Sequence, residues 1–88
     1  MDPKVKGEFL KKISINGFSI RERDDELVLQ PRGSEETAEI TIKETESNKW
    51  TVVSGLGWYA GFARGKKRSY FESYINQWAA GAVLQAAE

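Results

Sequence analysis

Hydrophobic and polar positions alternate in several short runs along this chain and settle into a helical period only at its end. Ile13-Ser14-Ile15-Asn16-Gly17-Phe18-Ser19-Ile20 reads as two alternating runs about Asn-Gly, a dipeptide suited to the positive-φ turn of a two-residue hairpin. In such a hairpin Ile15 faces Phe18 and Ile13 faces Ile20, with the serines on the wet side. Arg21–Glu26 reads as a charge-dense turn, Leu27–Gln30 as a third short strand, and Pro31 as its stop. Arg32–Glu36 is a loop. Thr37–Glu44 alternates again, with Ala38, Ile40 and Ile42 on one side. After a turn at Thr45–Asn48, Lys49–Ser54 returns with Trp50 and Val52 on that same side. Ahead of all these, Val5, Phe9 and Leu10 have a rough helical spacing that Gly7 interrupts, so Lys4–Lys12 fits either a helix or the entrance to a strand.

From Phe71 onward, Ile75, Trp78, Ala82 and Ala86 recur at helical spacing, flanked by Tyr74, Ala79 and Val83. Two starts compete for this helix. In one, Ser69 is the N-cap and Glu72 completes a capping box. In the other, Gly57–Ala63 and Lys67–Phe71 pair as a hairpin about Arg64-Gly65-Lys66, and Ser73 caps a shorter helix. The complete box favours the first. Gly81 costs about 1 kcal/mol relative to alanine in a helix, which suits a close approach of helix to sheet. Together these patterns predict an α+β fold in one domain. An antiparallel β-meander sheet of four to five strands (about 8–54) leads through a connection at 55–68 to one C-terminal helix (about 70–87) packed on one face.

Composition narrows the classes of function. The chain has 88 residues, enough for one small core. With 40% apolar residues and three tryptophans it is built to fold, although 30% of its residues are charged. It contains neither cysteine nor histidine. Disulfides, thiolate metal sites, imidazole ligands and the commonest general base are therefore absent, and no serine has a histidine to activate it. No metal site, cofactor or enzyme activity is expected. No apolar run approaches the roughly 20 residues of a membrane span, no signal peptide is evident, and a cytoplasmic location is expected. The net charge of zero is a cancellation. Cations exceed acids in 1–12 and 48–88, and acids exceed cations in 13–47, an asymmetry that can steer a charged partner to one face.

One stretch concentrates chemistry. Gly55–Tyr70 combines glycines with Trp58, Tyr59, Phe62 and Tyr70 and with Arg64, Lys66, Lys67 and Arg68. Its glycine spacing matches neither a dinucleotide-binding turn nor a phosphate-cradling loop, and it is read as a connection between strand and helix. The cations suit backbone phosphates and the aromatics suit stacking on unpaired bases. The acidic block Glu22, Asp24, Asp25 and Glu26 lacks the glycine and ligand spacing of a calcium loop and reads as a solvated turn. Glu35, Glu36, Glu39, Glu44 and Glu46 read as a guarded sheet edge.

The run from Lys49 to Ala82 resembles in outline the three-strand-plus-helix DNA-binding domains of the phage-integrase arm type. Trp50, Arg64–Arg68, Phe71, Ser73 and Ala79 stand for the tryptophan-bearing strand, the basic turn and the entry to the helix. The likeness covers under half the chain, the alanine spacing differs, and the N-terminal segment has no counterpart. A sheet followed by one helix is also similar in outline to several single-strand-binding folds.

The expected function is a small non-enzymatic nucleic-acid-binding domain. In it Arg64, Lys66, Lys67 and Arg68 contact phosphates, and Trp58, Tyr59 and Phe62 stack on bases. The alternative is a protein-interaction module, such as a small inhibitor or an assembly subunit, phage-derived proteins included. It would act through its acidic sheet face or through its alanine-rich helix, which could also form a homodimer.

Overall fold

The computed structural model describes residues 1–33, 39–55 and 67–88. Helix α1 (Pro3–Ile15) is followed by strands β1 (Phe18–Arg23), β2 (Glu26–Pro31), β3 (Ile40–Glu46) and β4 (Lys49–Ser54), and then by helix α2 (Lys67–Ala86). The strands form one antiparallel sheet of four in the order β1-β2-β3-β4, so the α+β meander anticipated from the alternation is present.

The N-terminal segment departs most from expectation. It is a helix of 13 residues, and the hairpin about Asn16-Gly17 does not form. Asp2 is the N-cap, its carboxylate accepting the Lys4 N–H at 2.8 Å, and Pro3 occupies the first turn, where a missing N–H costs nothing. At the other end the Asn16 N–H reaches the carbonyls of Lys12 and Ile13, and its Nδ2 donates to the Lys12 carbonyl at 2.7 Å. Gly17 follows with φ +97° and donates its N–H to Ser14. A glycine of positive φ closes a helix as well as it turns a hairpin. The helical reading sets Phe9 and Ile13 one turn apart in the core and leaves Ile15 74% exposed, where a hairpin would have buried it. The sheet therefore begins at Phe18 and not near residue 8.

In the sheet, Ile20 opposes Leu29, Leu27 and Leu29 oppose Ile42 and Ile40, and Ile42 opposes Val52. Phe18, Leu27, Leu29, Ile40, Ile42, Trp50 and Val52 are buried with Phe9 and Ile13 of α1 and with Phe71, Ile75, Ala79 and Ala82 of α2. Trp50 and Val52 thus share a face with Ile40 and Ile42, as their period of two predicts. The turn expected over Arg21–Glu26 contracts to Asp24-Asp25, with Asp24 at φ +55°, because Arg21 to Arg23 pair with β2. Ala38 lies outside the described residues. On the opposite face, Val28 and Thr41 pair and are also buried.

Both helices lie on the first face. Phe9 meets Trp50 at 5.1 Å between ring centroids, and Phe18 meets Phe71 edge-on at 5.7 Å. Helix α2 starts at Lys67, earlier than either expected start. Ser69 is inside the helix and caps nothing, while Lys67–Phe71 is helical and not a strand. Gly81 approaches α1 and not the sheet, since a Cβ there would stand 3.1 Å from Cε of Lys12.

Candidate nucleic-acid interface

The start of α2 is placed by β4, the strand at one edge of the sheet. In an antiparallel ladder every second residue turns its N–H and C=O away from its neighbour. Lys43 opposes Thr51, and Trp50 and Val52 turn theirs outward. Helix α2 answers them with side chains one turn apart. Arg68 Nη2 donates to the Val52 carbonyl at 2.6 Å. Glu72 Oε1 accepts from the Val52 N–H at 2.8 Å and from the Thr51 hydroxyl at 2.9 Å. Asn76 acts as a surrogate peptide, its Oδ1 accepting from the Trp50 N–H at 2.8 Å and its Nδ2 donating to the Trp50 carbonyl at 3.0 Å. Arg68 Nε also reaches Glu72 at 3.3 Å.

This explains the unformed capping box. The Glu72 carboxylate serves the sheet edge and not the first turn of its own helix. Burial by itself would raise its pKa. Hydrogen bonds from the Val52 N–H, the Thr51 hydroxyl and Arg68, with the Arg68 charge, outweigh that and hold it below the ordinary glutamate range. Glu44, in β3, is lowered in the same manner. Burial is opposed by hydrogen bonds from the N-terminal ammonium at 2.7 Å and the Asn48 N–H at 2.7 Å, and by the charges of that ammonium and Lys6.

Of the residues expected to contact nucleic acid, Trp58, Tyr59, Phe62, Arg64 and Lys66 lie outside the described residues. Lys67 and Arg68 open α2, whose first turn holds no carboxylate. Arg68 is partly committed to β4, with its side chain 60% exposed. Tyr70 and Tyr74, spaced to lie one turn apart on the helix, are about half exposed, at 52% and 50%. The i, i+4 spacing of these tyrosines is legible in the sequence, but only the packing of Phe71 and Ile75 inward turns them out.

The acidic block is a set of ion pairs. Lys6 bridges Glu22, Arg23 lies 3.6 Å from Glu26, and Lys43 lies 3.4 Å from Asp25. Among the described residues no group of three or more acidic side chains is placed to hold a metal ion. No described helix is long and apolar enough to cross a membrane. Comparison with known proteins finds no matching family model, no matching curated protein and no matching solved structure.

Proposed function

We propose that the protein is a small nucleic-acid-binding domain whose contact surface is the connection 58–66 together with the first turns of α2. The observation that carries this reading is the charge at the start of α2. Lys67 and Arg68 stand in the first turn, which holds no acidic residue of its own and where the helix dipole is already positive; Arg68 reaches the Glu72 carboxylate one turn on at 3.3 Å. Cations there oppose the dipole and are better accommodated when an anion sits against them. Tyr70 and Tyr74 extend the aromatic content of Trp58, Tyr59 and Phe62 onto an exposed helix face. In this reading Arg64, Lys66, Lys67 and the free side of Arg68 neutralise phosphates, and the aromatics stack on unpaired bases at about 1–3 kcal/mol each. A chain without cysteine needs no oxidising compartment, and a cytoplasmic location fits this reading.

Titration of a fluorescein-labelled single-stranded oligonucleotide at low salt tests it. Binding should weaken steeply with salt, and a double Lys66→Ala, Lys67→Ala variant should flatten the log–log salt slope by about 1.4, at about 0.7 per phosphate contact. Absence of binding at low salt to single- and double-stranded DNA and RNA alike would overturn the reading.

A further inference from the structure

The two edges of the sheet are treated differently. The β4 edge is closed by Arg68, Glu72 and Asn76. At the β1 edge the Arg32 N–H donates to the Gly17 carbonyl at 2.9 Å, which sets the parity of the ladder. Ser19, Arg21 and Arg23 therefore bond inward to β2, and Phe18, Ile20 and Glu22 direct their N–H and C=O outward. Among the described residues none hydrogen-bonds to these outward groups. The strand is also open at its side chains, with Ser19, Arg21, Glu22 and Arg23 exposed and Ile20 half-buried.

We propose that the β1 edge is a docking site for an extended, acidic segment of a protein partner, which adds to the sheet as an antiparallel fifth strand. The donors and acceptors at Phe18, Ile20 and Glu22 call for another backbone, since only a strand repeats both groups at that spacing. The side chains specify its sequence. On the outer face Ser19, Arg21 and Arg23 stand in a row. Arg21 bridges Glu39 and Arg23 approaches Glu26, yet both remain more than half exposed, at 61% and 57%, with guanidinium nitrogens to spare. On the helix side Phe18 and Ile20 present an apolar step, and Glu22 is neutralised by Lys6. The fitting segment alternates carboxylates opposite the arginines with an aliphatic residue opposite Ile20.

The same charges disfavour a second copy of this chain. A two-fold axis through Arg21 sets the two Arg21 side chains directly opposite, and one through Ile20 leaves them on the diagonal. Like charges so placed are destabilising. Glu22, pointing to the helix side, guards the edge against indiscriminate pairing. The β1 edge is at the opposite side of the sheet from β4. Phe71 of α2 packs on Phe18, but none of the residues that carry the nucleic-acid reading belongs to this site.

The test uses the full chain, labelled with nitrogen-15, and the capped heptapeptide Thr-Glu-Val-Glu-Val-Glu-Thr. We expect saturable amide shifts centred on Phe18, Ile20 and Glu22, with hydrogen exchange at those amides slowed at least tenfold. N-methylation of the two valines should abolish binding, because their N–H groups face β1, whereas N-methylation of the central glutamate should preserve it. Replacing the glutamates by lysine should weaken binding at least tenfold, and Arg21→Glu should reverse that preference. The proposal is overturned if millimolar peptide leaves these amides unmoved, or if the lysine peptide binds equally well. It is overturned too if the amides are protected in the free protein with a concentration dependence, which would make a second copy the occupant.

Discussion

Gly7 and Gly17 are alike in the sequence and opposite in the fold. Gly7 is exposed within α1, with nothing within 4 Å of where a Cβ would be. Gly7→Ala should therefore stabilise the protein by about 0.5–1 kcal/mol through helix propensity and a less flexible unfolded chain. Gly17 holds φ +97° at the exit of α1. Gly17→Ala should destabilise by about 1 kcal/mol or more, since an L side chain resists that conformation. Urea midpoints of the two variants on either side of the parent check the pair, and equal midpoints would contradict the helical cap. Gly81 is an intermediate case. A Cβ there meets only the far end of the Lys12 side chain, which can move aside, so Gly81→Ala should be neutral to stabilising despite the 3.1 Å approach.

At the level of elements, the contact between α2 and the β4 edge is the unusual feature. A helix normally offers a sheet its apolar stripe, and α2 does so through Phe71, Ile75, Ala79 and Ala82. It also offers a polar row, Arg68, Glu72 and Asn76, that satisfies Trp50 and Val52 as a fifth strand would. Asn76→Ala leaves the Trp50 N–H and carbonyl without that partner and should cost about 1–3 kcal/mol, read by chemical denaturation. The lowered pKa of Glu72 adds a pH signature. A carboxylate whose folded pKa lies below its unfolded value contributes stability that is present above about pH 4.3 and is lost as pH falls through the folded value. Glu44 acts in the same direction. Stability should therefore fall as pH drops below the ordinary glutamate range, and Glu72→Gln should make that fall shallower. An unchanged pH profile would mean that the β4 edge does not depend on the charge.

For the whole molecule, α1 decides whether the sheet has a complete cover. Phe9 and Ile13 are fully buried among Trp50, Leu27 and their neighbours, in a chain too small to spare part of its core. Phe9→Ala should cost about 3–5 kcal/mol, a large share of the roughly 5–15 kcal/mol typical of a whole domain. Thermal unfolding followed by far-UV circular dichroism should show a midpoint lowered by more than 10 °C. A midpoint within a few degrees of the parent would mean that α1 is peripheral.

The strands from Leu27 to Ser54 and the stripe of α2 are legible in the residues alone, because a period of two or of 3.6 states which side of an element must leave water. Ile40, Ile42, Trp50 and Val52 fall on one face in the fold as they do on paper. The spacing of Val5, Phe9 and Leu10 leaves the N-terminal segment open between a helix and a strand entrance, and the alternation around Asn16-Gly17 favours a hairpin when read locally. That dipeptide suits a hairpin or a helix exit equally. The choice falls to the exit because a helix lets Phe9 and Ile13 reach Trp50 and the sheet, contacts far apart in sequence. The start of α2 is settled in the same way. Ser69 and Glu72 make a plausible cap between themselves, but Glu72 is drawn to the unpaired N–H of Val52, 20 residues earlier. Local pattern thus determined the buried side of the strands from Leu27 to Ser54 and of α2, but not of the segment before Phe18, where Ile15 is left exposed. Where one residue could serve two local structures equally well, the choice went to the one that also satisfied a distant apolar surface or backbone donor, and no window of neighbouring residues contains that information.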